Sequence, residues 1–345
     1  MELIQLTQFS PGAGCGCKIS PKDLEEILKE RKDGFTDKNL LVGNESNDDA
    51  AVYDIGNGKA IISTTDFFTP IVDDPFLFGK IAAINAMSDV YAMGGKPLMG
   101  ISILGWPLDK LPKEHASRVI DGAIAACSLA GISLAGGHSV DIPVPIFGLA
   151  VTGIVNKENI KRNNTALAGH HIFLTKPLGI GILSTAAKKG ILSQEHLEIS
   201  IKLMCTLNSI GSKLGELKGI SAMTDVTGFG LLGHLAEMCE GSIVSADIYF
   251  EKIPKIESLD HYINEKAIPG GTYRNLKSFE MVVSNYNDYQ KLIMADPQTS
   301  GGLLISIEEK EIPLLISISE KSGINCYEIG QFKPPRSKAD MIRLK

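Results

Sequence analysis

The first segment whose residue types could do chemistry runs from residue 12 to residue 18 and reads Gly-Ala-Gly-Cys-Gly-Cys-Lys. Glycine leaves the backbone free to adopt many conformations and to approach a ligand closely. Lys18 lies three residues from Cys15, and its charge favours the thiolate, the reactive form of cysteine. The segment therefore predicts a mobile arm that carries a nucleophile and a phosphate-binding cation to a site built elsewhere. The alternative is a frayed terminus with an incidental pair of thiols.

A second group of candidate residues consists of aspartates in apolar or small-residue surroundings, at Asp48, Asp49, Asp66, Asp89 and Asp225. A lone carboxylate is costly to bury there. Two carboxylates about 4 Å apart repel by roughly 4 kcal/mol at an effective dielectric of about 20. A cluster of them therefore needs divalent cations, and all-oxygen ligands favour magnesium, calcium or manganese over zinc. Aspartates that hold magnesium against a triphosphate would explain the set, although Asp48 could simply be a turn or cap residue.

Length and composition predict a globular α/β protein with two domains. The chain has 345 residues, of which 44% are hydrophobic and 21% are charged. The formal net charge of −6 argues against a nucleic-acid partner, whereas a nucleotide could still bind through local cations or metal ions. The first ten residues lack a secretory signal, and no apolar stretch is long enough to span a membrane. We therefore expect a cytoplasmic protein whose six cysteines stay reduced.

Apolar periodicity predicts helices and strands that alternate in α/β layers. Predicted strands cover residues 50–53, 60–65, 99–104, 132–135, 147–155, 171–175, 243–248, 303–307 and 326–329. One predicted helix starts at Ser20-Pro21, and the others cover residues 76–93, 114–130, 180–188, 195–214 and 231–238. A polar stretch over residues 157–169 suggests a boundary between two domains. We therefore expect the glycine-rich arm over residues 1–20, a first domain over 21–156 and a second domain over 157–345.

Three further motifs are rich in glycine. Residues 228–233 match Gly-x-Gly-x-x-Gly, a dinucleotide-binding pattern. The strand before them is short and Asp225 would face the pyrophosphate, so we expect instead tight helix packing with Asp225 directed at a metal. Residues 136–139, between two predicted strands, could cradle phosphate or ribose or could form an ordinary turn. Residues 296–302 are interpreted as a turn that starts the following strand.

The other histidines and cysteines carry no metal-ligand spacing. Surface or packing roles are expected for the histidines other than His138, namely His115, His170, His171, His196, His234 and His261. Cys127, Cys205 and Cys239 fall on predicted helical faces and are expected to act as small core residues. A structural zinc site is not indicated, because only Cys15 and Cys17 are near one another in sequence.

Seven motifs together resemble those of the selenophosphate synthetase (selenide, water dikinase) family, and the resemblance extends over almost the full length. They lie at residues 12–21, 48–53, 63–68, 85–89, 136–139, 223–230 and 296–302. The aspartate motifs are shared with the wider aminoimidazole-ribonucleotide-synthetase superfamily of ATP-using enzymes. The Cys-Gly-Cys-Lys arm narrows the resemblance to the one family.

The resemblance implies a two-domain aminoimidazole-ribonucleotide-synthetase-like α/β fold, dimeric, with strands that form a shared barrel. It implies a reaction in which ATP, selenide and water give selenophosphate, AMP and orthophosphate. By this likeness Cys15 is the catalytic thiol, Cys17 is supportive, and Lys18 neutralises the γ-phosphate. Magnesium would be held by Asp49, Asp89 and Asp225. ATP would be contacted by Ser46, Asn47, Asp48 and Asp66, with Asp66 also near metal, and by Gly137, His138 and Ser139 from the partner subunit.

The thiolate of Cys15 could hold or deliver selenium while the arm excludes water, and a selenium-delivery protein could be a further partner. Two alternatives remain open. Another ATP-dependent kinase of the superfamily, acting on a thiamine-like or carbamoyl substrate, would use ATP without any need for Cys15. A non-catalytic nucleotide-binding regulator would bind ATP without producing AMP.

Overall fold

The computed structural model describes residues 5–9, 14, 16, 18, 19, 23, 26, 27, 37–43 and 48–345. Of the helix predicted to start at Ser20-Pro21, Asp23, Glu26 and Ile27 are helical and the rest lies outside the described residues. The candidate residues Cys15, Cys17, Ser46 and Asn47 also lie outside them. None of the helices in the described part of the chain has the length and apolarity that a membrane span requires.

The first sheet has six strands in the order β1-β2-β3-β6-β4-β5, and only β4 and β5 run parallel. Its strands are β1 (Leu40–Val42), β2 (Ala51–Gly56), β3 (Lys59–Phe68), β4 (Lys96–Trp106), β5 (Ser133–Asp141) and β6 (Ile146–Asn156). The hairpin of β2 and β3 turns at Asn57, which has a positive φ. The strands predicted over residues 50–53 and 60–65 are confirmed in β2 and β3.

Two helices cover one face of the first sheet, α1 (Pro75–Ala92) and α2 (Lys113–Leu129). The Asp74 side chain caps α1 by accepting a hydrogen bond from the Leu77 amide, and proline occupies the first helical position. The helices touch where a Cβ at Gly79 would stand 1.8 Å from the Val119 carbonyl oxygen. The absence of a side chain at Gly79 thus allows the two helices to pack closely.

The second sheet has seven strands in the order β10-β13-β9-β12-β7-β11-β8. Its strands are β7 (His171–Leu174), β8 (Ile220–Asp225), β9 (Ser245–Ile248), β10 (Val283–Ser284), β11 (Leu303–Ile307), β12 (Tyr327–Lys333) and β13 (Ile342–Leu344). β13 runs parallel to both β10 and β9, and the other neighbours are antiparallel. Mixed α/β layers were predicted and are confirmed.

The second half of the chain carries the remaining helices. They are α3 (Ile180–Lys188), α4 (Gln194–Met204), α5 (Ile210–Leu214), α6 (Gly230–Ser242), α7 (Leu259–Asn264), α8 (Gly270–Phe279), α9 (Asp288–Met294) and α10 (Ile312–Ser322). β8 and α5 also pack against α1, so the central helix of the first half contacts both halves of the chain. This contact places the end of β8 beside the first sheet.

Two predictions about local structure are wrong. The single helix predicted over residues 195–214 breaks between α4 and α5, because the buried amide of Asn208 donates hydrogen bonds to Ser88 Oγ and to the Gly301 carbonyl, each at 2.8 Å. Residues 136–139, expected between two strands, lie inside β5. In both places a tertiary or inter-strand contact overrides the local sequence pattern.

Candidate active site

Strand β3 and helix α1 bring two of the predicted aspartates to one side of the first sheet. Thr64 and Asp66 have the same parity on β3, and Asn85 and Asp89 are one turn apart on α1. Asn85 Nδ2 donates to Asp66 Oδ2 at 2.8 Å, and the Thr64 hydroxyl donates to Asp89 Oδ2. Residues two apart on the strand therefore face residues four apart on the helix. These two hydrogen bonds hold the carboxylates of Asp66 and Asp89 between the strand and the helix.

Two other aspartates arrive from β8 and from the segment before β2. Asp225 is the last residue of β8, is only 2% exposed and forms a hydrogen bond with the Ser88 side chain. Thr224 Oγ1 donates to Asp49 Oδ1 at 2.7 Å, which ties the loop before β2 to the end of β8. The two halves of the chain thus contribute carboxylates to the same place.

Asp49, Asp89 and Asp225 lie close enough together for the negative charge of one carboxylate to disfavour ionisation of another. Burial, followed by the negative charges of Asp225, Asp48 and Asp89, raises the pKa of Asp49 well above its usual value. Burial, followed by the charges of Asp225 and Asp66, does the same to the pKa of Asp89. Burial raises the pKa of Asp225 to about 6, against the opposing effects of Ser88 and Lys18. We call Asp48, Asp49, Asp66, Asp89 and Asp225 the acidic cluster.

Asp48 lies at the margin of this cluster. Its Oδ1 accepts hydrogen bonds from the Asp49 amide at 3.1 Å and from the Asn163 amide at 3.2 Å. Burial raises the pKa of Asp48 to about 6, although these amides and the charge of Arg162 lower it. Its role as a turn residue and its availability to a ligand are compatible, because Oδ1 serves the turn and Oδ2 does not.

The acidic cluster fits a hard divalent cation. The buried oxygens Asp48 Oδ2, Asp49 Oδ2 and Asp225 Oδ2 have no hydrogen-bond partner. Mutually repelling carboxylates with unused oxygens are the donors that magnesium prefers. Within the described ranges, no three His, Cys, Asp or Glu side chains already form a metal-binding group. The carboxylates are therefore electrostatic neighbours, and the coordination sphere is not preformed.

The described residues of the arm lie against this site. Lys18 Nζ stands 3.4 Å from Asp66 Oδ2, and its charge also acts on Asp89 and Asp225. The Gly14 amide donates to the Thr69 carbonyl at 3.1 Å, just beyond the end of β3. These contacts place Gly14 beside the end of β3 and the Lys18 ammonium group at the acidic cluster.

The motif at residues 136–139 lies apart from the acidic cluster of the same chain. Its residues are exposed on β5, the edge strand of the first sheet. The strand registers place Asp66 and Gly137 in one row, with β6 and β4 between them. Three strand spacings separate them by about 14 Å, which excludes a direct contact between Gly137 and Asp66.

The loop at residues 296–302 precedes β11 as predicted, and it also supports the site. The Ser300 amide donates to Asn85 Oδ1 at 2.7 Å, so the side chain that holds Asp66 is itself oriented by this loop. The ammonium group of Lys176 is buried and donates to the carbonyls of Ser300 and Thr206, each at 2.7 Å. Burial lowers the pKa of Lys176 to about 7, while Asp225 raises it. Sequence reasoning missed Lys176. It also did not single out Asn85, which its spacing of one helical turn from Asp89 could have revealed.

Helix α6 places a second titratable pair near Lys18. His234 Nδ1 is 3.6 Å from Glu237 Oε2, and the His234 ring stacks on Phe229 with a centroid distance of 5.6 Å. Burial, followed by the charge of Lys18, lowers the pKa of His234 to about 3. Burial raises the pKa of Glu237 to about 8, although Lys18 opposes this rise. The packing role expected for His234 agrees with its contacts, whereas Glu237 was not singled out.

The Gly-x-Gly-x-x-Gly motif occupies the junction between β8 and α6. Gly230 has a positive φ, and a Cβ there would stand 2.9 Å from the carbonyl oxygens of Met294 and Asp296. The motif thus serves close packing, and Asp225 before it belongs to the acidic cluster. Both features agree with the interpretation preferred from the sequence over dinucleotide binding.

Comparison with known proteins first gives the class that this fold and site define. Residues 47–155 match the model of the AIR synthase related protein, N-terminal domain, and residues 168–341 match that of the AIR synthase related protein, C-terminal domain. Thiamine-monophosphate kinase from Stenotrophomonas maltophilia K279a has a similar structure, with a TM-score of 0.64 and 18% identity over 94% of this chain and 95% of that one. The chain has the two-domain AIR synthase-like fold.

Full-length relatives narrow the class. A selenide, water dikinase of Pasteurella multocida is 58% identical over 95% of this chain and 93% of its own length. A selenide, water dikinase of Haemophilus influenzae (strain 86-028NP) is 56% identical over 99% of this chain and 98% of its own length. The chain belongs to the selenide, water dikinase family.

Proposed function

We propose that this enzyme synthesises selenophosphate from ATP, selenide and water, and releases AMP and orthophosphate. The names of relatives that are 58% and 56% identical over nearly the whole chain support this activity. The observation that carries the proposal is the ion pair of Lys18 with Asp66, since it links the Cys-Gly-Cys-Lys arm to the acidic cluster. A phosphate-binding cation, buried carboxylates and a cysteine-bearing segment are then available to one reaction.

Asp49, Asp89 and Asp225 would hold magnesium. Their support is the raised pKa of each carboxyl group and the unpartnered oxygens of Asp49 and Asp225. Bound magnesium would neutralise phosphate charge and orient the triphosphate for phosphoryl transfer. The Ser88 and Thr224 side chains hold Asp225 and Asp49 in place by the hydrogen bonds described above.

The nucleotide would be bound by Asp48, Asp66 and Lys18, together with Ser46 and Asn47 on the segment before Asp48. Lys18 lies within reach of the cluster, and its side chain remains 39% exposed while it pairs with Asp66. Its ammonium group would exchange the carboxylate for the γ-phosphate when ATP binds. Phosphoryl transfer depends mainly on positioning and charge neutralisation, which these groups supply.

Cys15 would be the thiol that holds or delivers selenium, with Cys17 in a supporting role. Its position three residues before Lys18 supports this assignment, because the lysine reaches the acidic cluster. A reduced thiolate and selenide both require a reducing compartment, which favours the cytoplasm. A selenium-delivery protein would suit the same arm as a partner.

A homodimer would complete the nucleotide site. The face of the first sheet opposite α1 and α2 exposes large apolar side chains, and these are Tyr53, Ile55, Phe67, Met99, Ile101 and Val140. Contiguous apolar surface of this kind is typical of a protein interface. Two such faces could close into a shared barrel, and Gly137, His138 and Ser139 on β5 would then contact nucleotide in the partner subunit.

The activity can be tested by anaerobic incubation of the protein with ATP, magnesium and selenide, followed by phosphorus NMR. The proposal expects selenophosphate, AMP and orthophosphate in equal amounts, and it expects Cys15→Ser to abolish the selenide-dependent product while Cys17→Ser retains most of it. Full activity of Cys15→Ser would refute the role of the thiol. Formation of ADP with a thiamine or carbamoyl acceptor, or ATP binding without AMP, would refute the reaction itself.

A further inference from the structure

Two contacts, in addition to the ion pair of Lys18 with Asp66, hold the described residues of the N-terminal segment against the first half of the chain. The amide and hydroxyl of Thr7 both donate to Asp73 Oδ1, at 2.9 and 2.7 Å, next to the fully buried Leu6. The Gly14 amide donates to the Thr69 carbonyl. These contacts keep the segment beside the end of β3, but they do not fasten it to the second half of the chain.

A third anchor comes from the second half. Arg274 on α8 donates from Nη2 to the Gly16 carbonyl oxygen at 2.6 Å. A Cβ on Gly271, in the first turn of α8, would stand 3.0 Å from Pro297 Cγ and 3.5 Å from that same oxygen. The glycine therefore leaves room for the arm to pass between Pro297 and the start of α8, where the guanidinium group captures its backbone.

We propose that Arg274 is the positioning residue that latches the arm over the acidic cluster. Gly16 lies between Cys15 and Cys17 in the sequence and two residues before Lys18, so the latch acts at the centre of the reactive segment. A guanidinium group suits this contact, because it presents several donors to a carbonyl and remains charged at every physiological pH. The assignment of catalytic work to the arm rests on the proposed function, whereas the latch itself is a contact between two described residues.

The contact joins the two halves of the chain through the arm. Thr69 and Asp73 follow β3, whereas Arg274 stands on α8 in the second half. The described residues of the arm are therefore fastened to both halves of the chain. Loss of the Arg274 contact would loosen the backbone two residues before Lys18, while leaving the contacts of Thr7 and Gly14 and the ion pair of Lys18 with Asp66 in place.

Hydrogen–deuterium exchange of the full-length protein tests the latch directly. Arg274→Ala should raise the exchange of the peptide spanning residues 5–19 by about tenfold, because loss of one charge-assisted hydrogen bond worth about 1.4 kcal/mol changes the open population by that factor. Lys277→Ala removes an exposed positive charge from the same helix and should leave the exchange unchanged. Arg274→Lys should restore part of the protection. Unchanged exchange in Arg274→Ala would overturn the latch.

Kinetics test whether the latch serves the reaction. Arg274→Ala should lower kcat about tenfold with little change in the KM for ATP, since Arg274 contacts the arm backbone at Gly16 and is not among the residues proposed to bind the nucleotide. Arg274→Lys should recover part of the lost kcat. Increased exchange with an unaltered kcat would overturn the positioning role. Wild-type protein that makes no selenophosphate would refute the proposed function, while the exchange data would still decide the latch.

Discussion

A single carboxylate oxygen of Asp66 contacts both Lys18 and a side chain in the core of the first domain. Asp66 Oδ2 accepts a hydrogen bond from Asn85 at 2.8 Å and faces the Lys18 ammonium group at 3.4 Å. The Asp66 side chain is only 10% exposed, whereas that of Lys18 is 39% exposed. Asp66 is therefore held by the core, whereas the Lys18 side chain is the more exposed partner, as the proposed exchange of a carboxylate for a phosphate requires.

We predict that Lys18→Ala lowers kcat for selenophosphate formation by about 100-fold, because loss of one charge-stabilising group in a site typically costs that much. Lys18→Arg keeps the charge with a different geometry and should retain more activity than Lys18→Ala. The measurement is product formation by phosphorus NMR, with ATP affinity determined by calorimetry. Wild-type turnover in Lys18→Ala would contradict the assignment.

A second prediction concerns the cost of the acidic cluster. Asp89→Asn should abolish magnesium-dependent ATP turnover and, in EDTA, stabilise the fold by ~1–2 kcal/mol, because it removes a buried charge that its neighbours repel. The Thr64 hydroxyl can still donate to the amide oxygen of the variant. The two measurements are AMP release and thermal unfolding in EDTA.

Asp54→Asn is the matched control for Asp89→Asn. Asp54 is on β2 and pairs with Lys157 at 2.6 Å, near the protein surface. Its loss should leave turnover intact and should not stabilise the fold. Retained magnesium-dependent turnover in Asp89→Asn would remove this residue from the proposed set of ligands. A loss of stability in EDTA would show that repulsion is not its dominant interaction.

The residues that could do chemistry were more predictable from the sequence than the residues that hold them in place. Asp89 was singled out because a carboxylate inside an apolar helix has no inexpensive partner, and its spacing from Asn85 follows from the helical repeat. The paired strands β2 and β3 and helix α1 follow from local periodicity. Arg274 and Lys176 could not be predicted in the same way, because each bonds to backbone carbonyls from distant parts of the chain.

The errors have the same physical origin. The helix break at Asn208 depends on its hydrogen bonds to Ser88 and Gly301, which are remote in sequence. The motif at residues 136–139 continues β5 because β4 supplies a pairing partner on one side. Its glycines favoured a turn when only local conformational freedom was considered.

A third prediction concerns pH. The pKa of Glu237 rises from 4.5 to about 8 through burial, so the folded protein binds an extra proton between these values. Stability should therefore fall as pH rises through this interval. Glu237→Gln should remove this dependence and should be more stable than the wild type at about pH 9, by ~1 kcal/mol or more, with no difference below about pH 4.

Urea denaturation at several pH values measures this effect. Glu240→Gln is the comparison variant on the same helix, and its side chain is 67% exposed. Because the charge of Glu240 contributes to the raised pKa of Glu237, this variant should weaken the pH dependence without removing it. Surface ion pairs such as that of Glu240 with Lys338 contribute little to stability. Equal pH dependence in Glu237→Gln and wild type would show that the carboxyl group of Glu237 is solvated in the folded protein.

The last prediction concerns the exposed face of the first sheet. Ile101 is 42% exposed on β4, between the apolar side chains of neighbouring strands. Ile101→Glu would place a charge in the middle of the proposed dimer interface, where it could not be paired without a cost in desolvation. Light scattering should then give a monomer mass of 37.1 kDa, in place of twice that value for the wild type. Ile124→Glu, on the outer surface of α2 and 48% exposed, should leave the dimer intact.

Because Gly137, His138 and Ser139 would no longer reach the partner's nucleotide, the Ile101 variant should also bind ATP at least tenfold more weakly, a loss of about 1.4 kcal/mol in binding free energy. A monomeric wild type, or a monomeric variant with undiminished ATP affinity, would show that each chain binds its nucleotide alone.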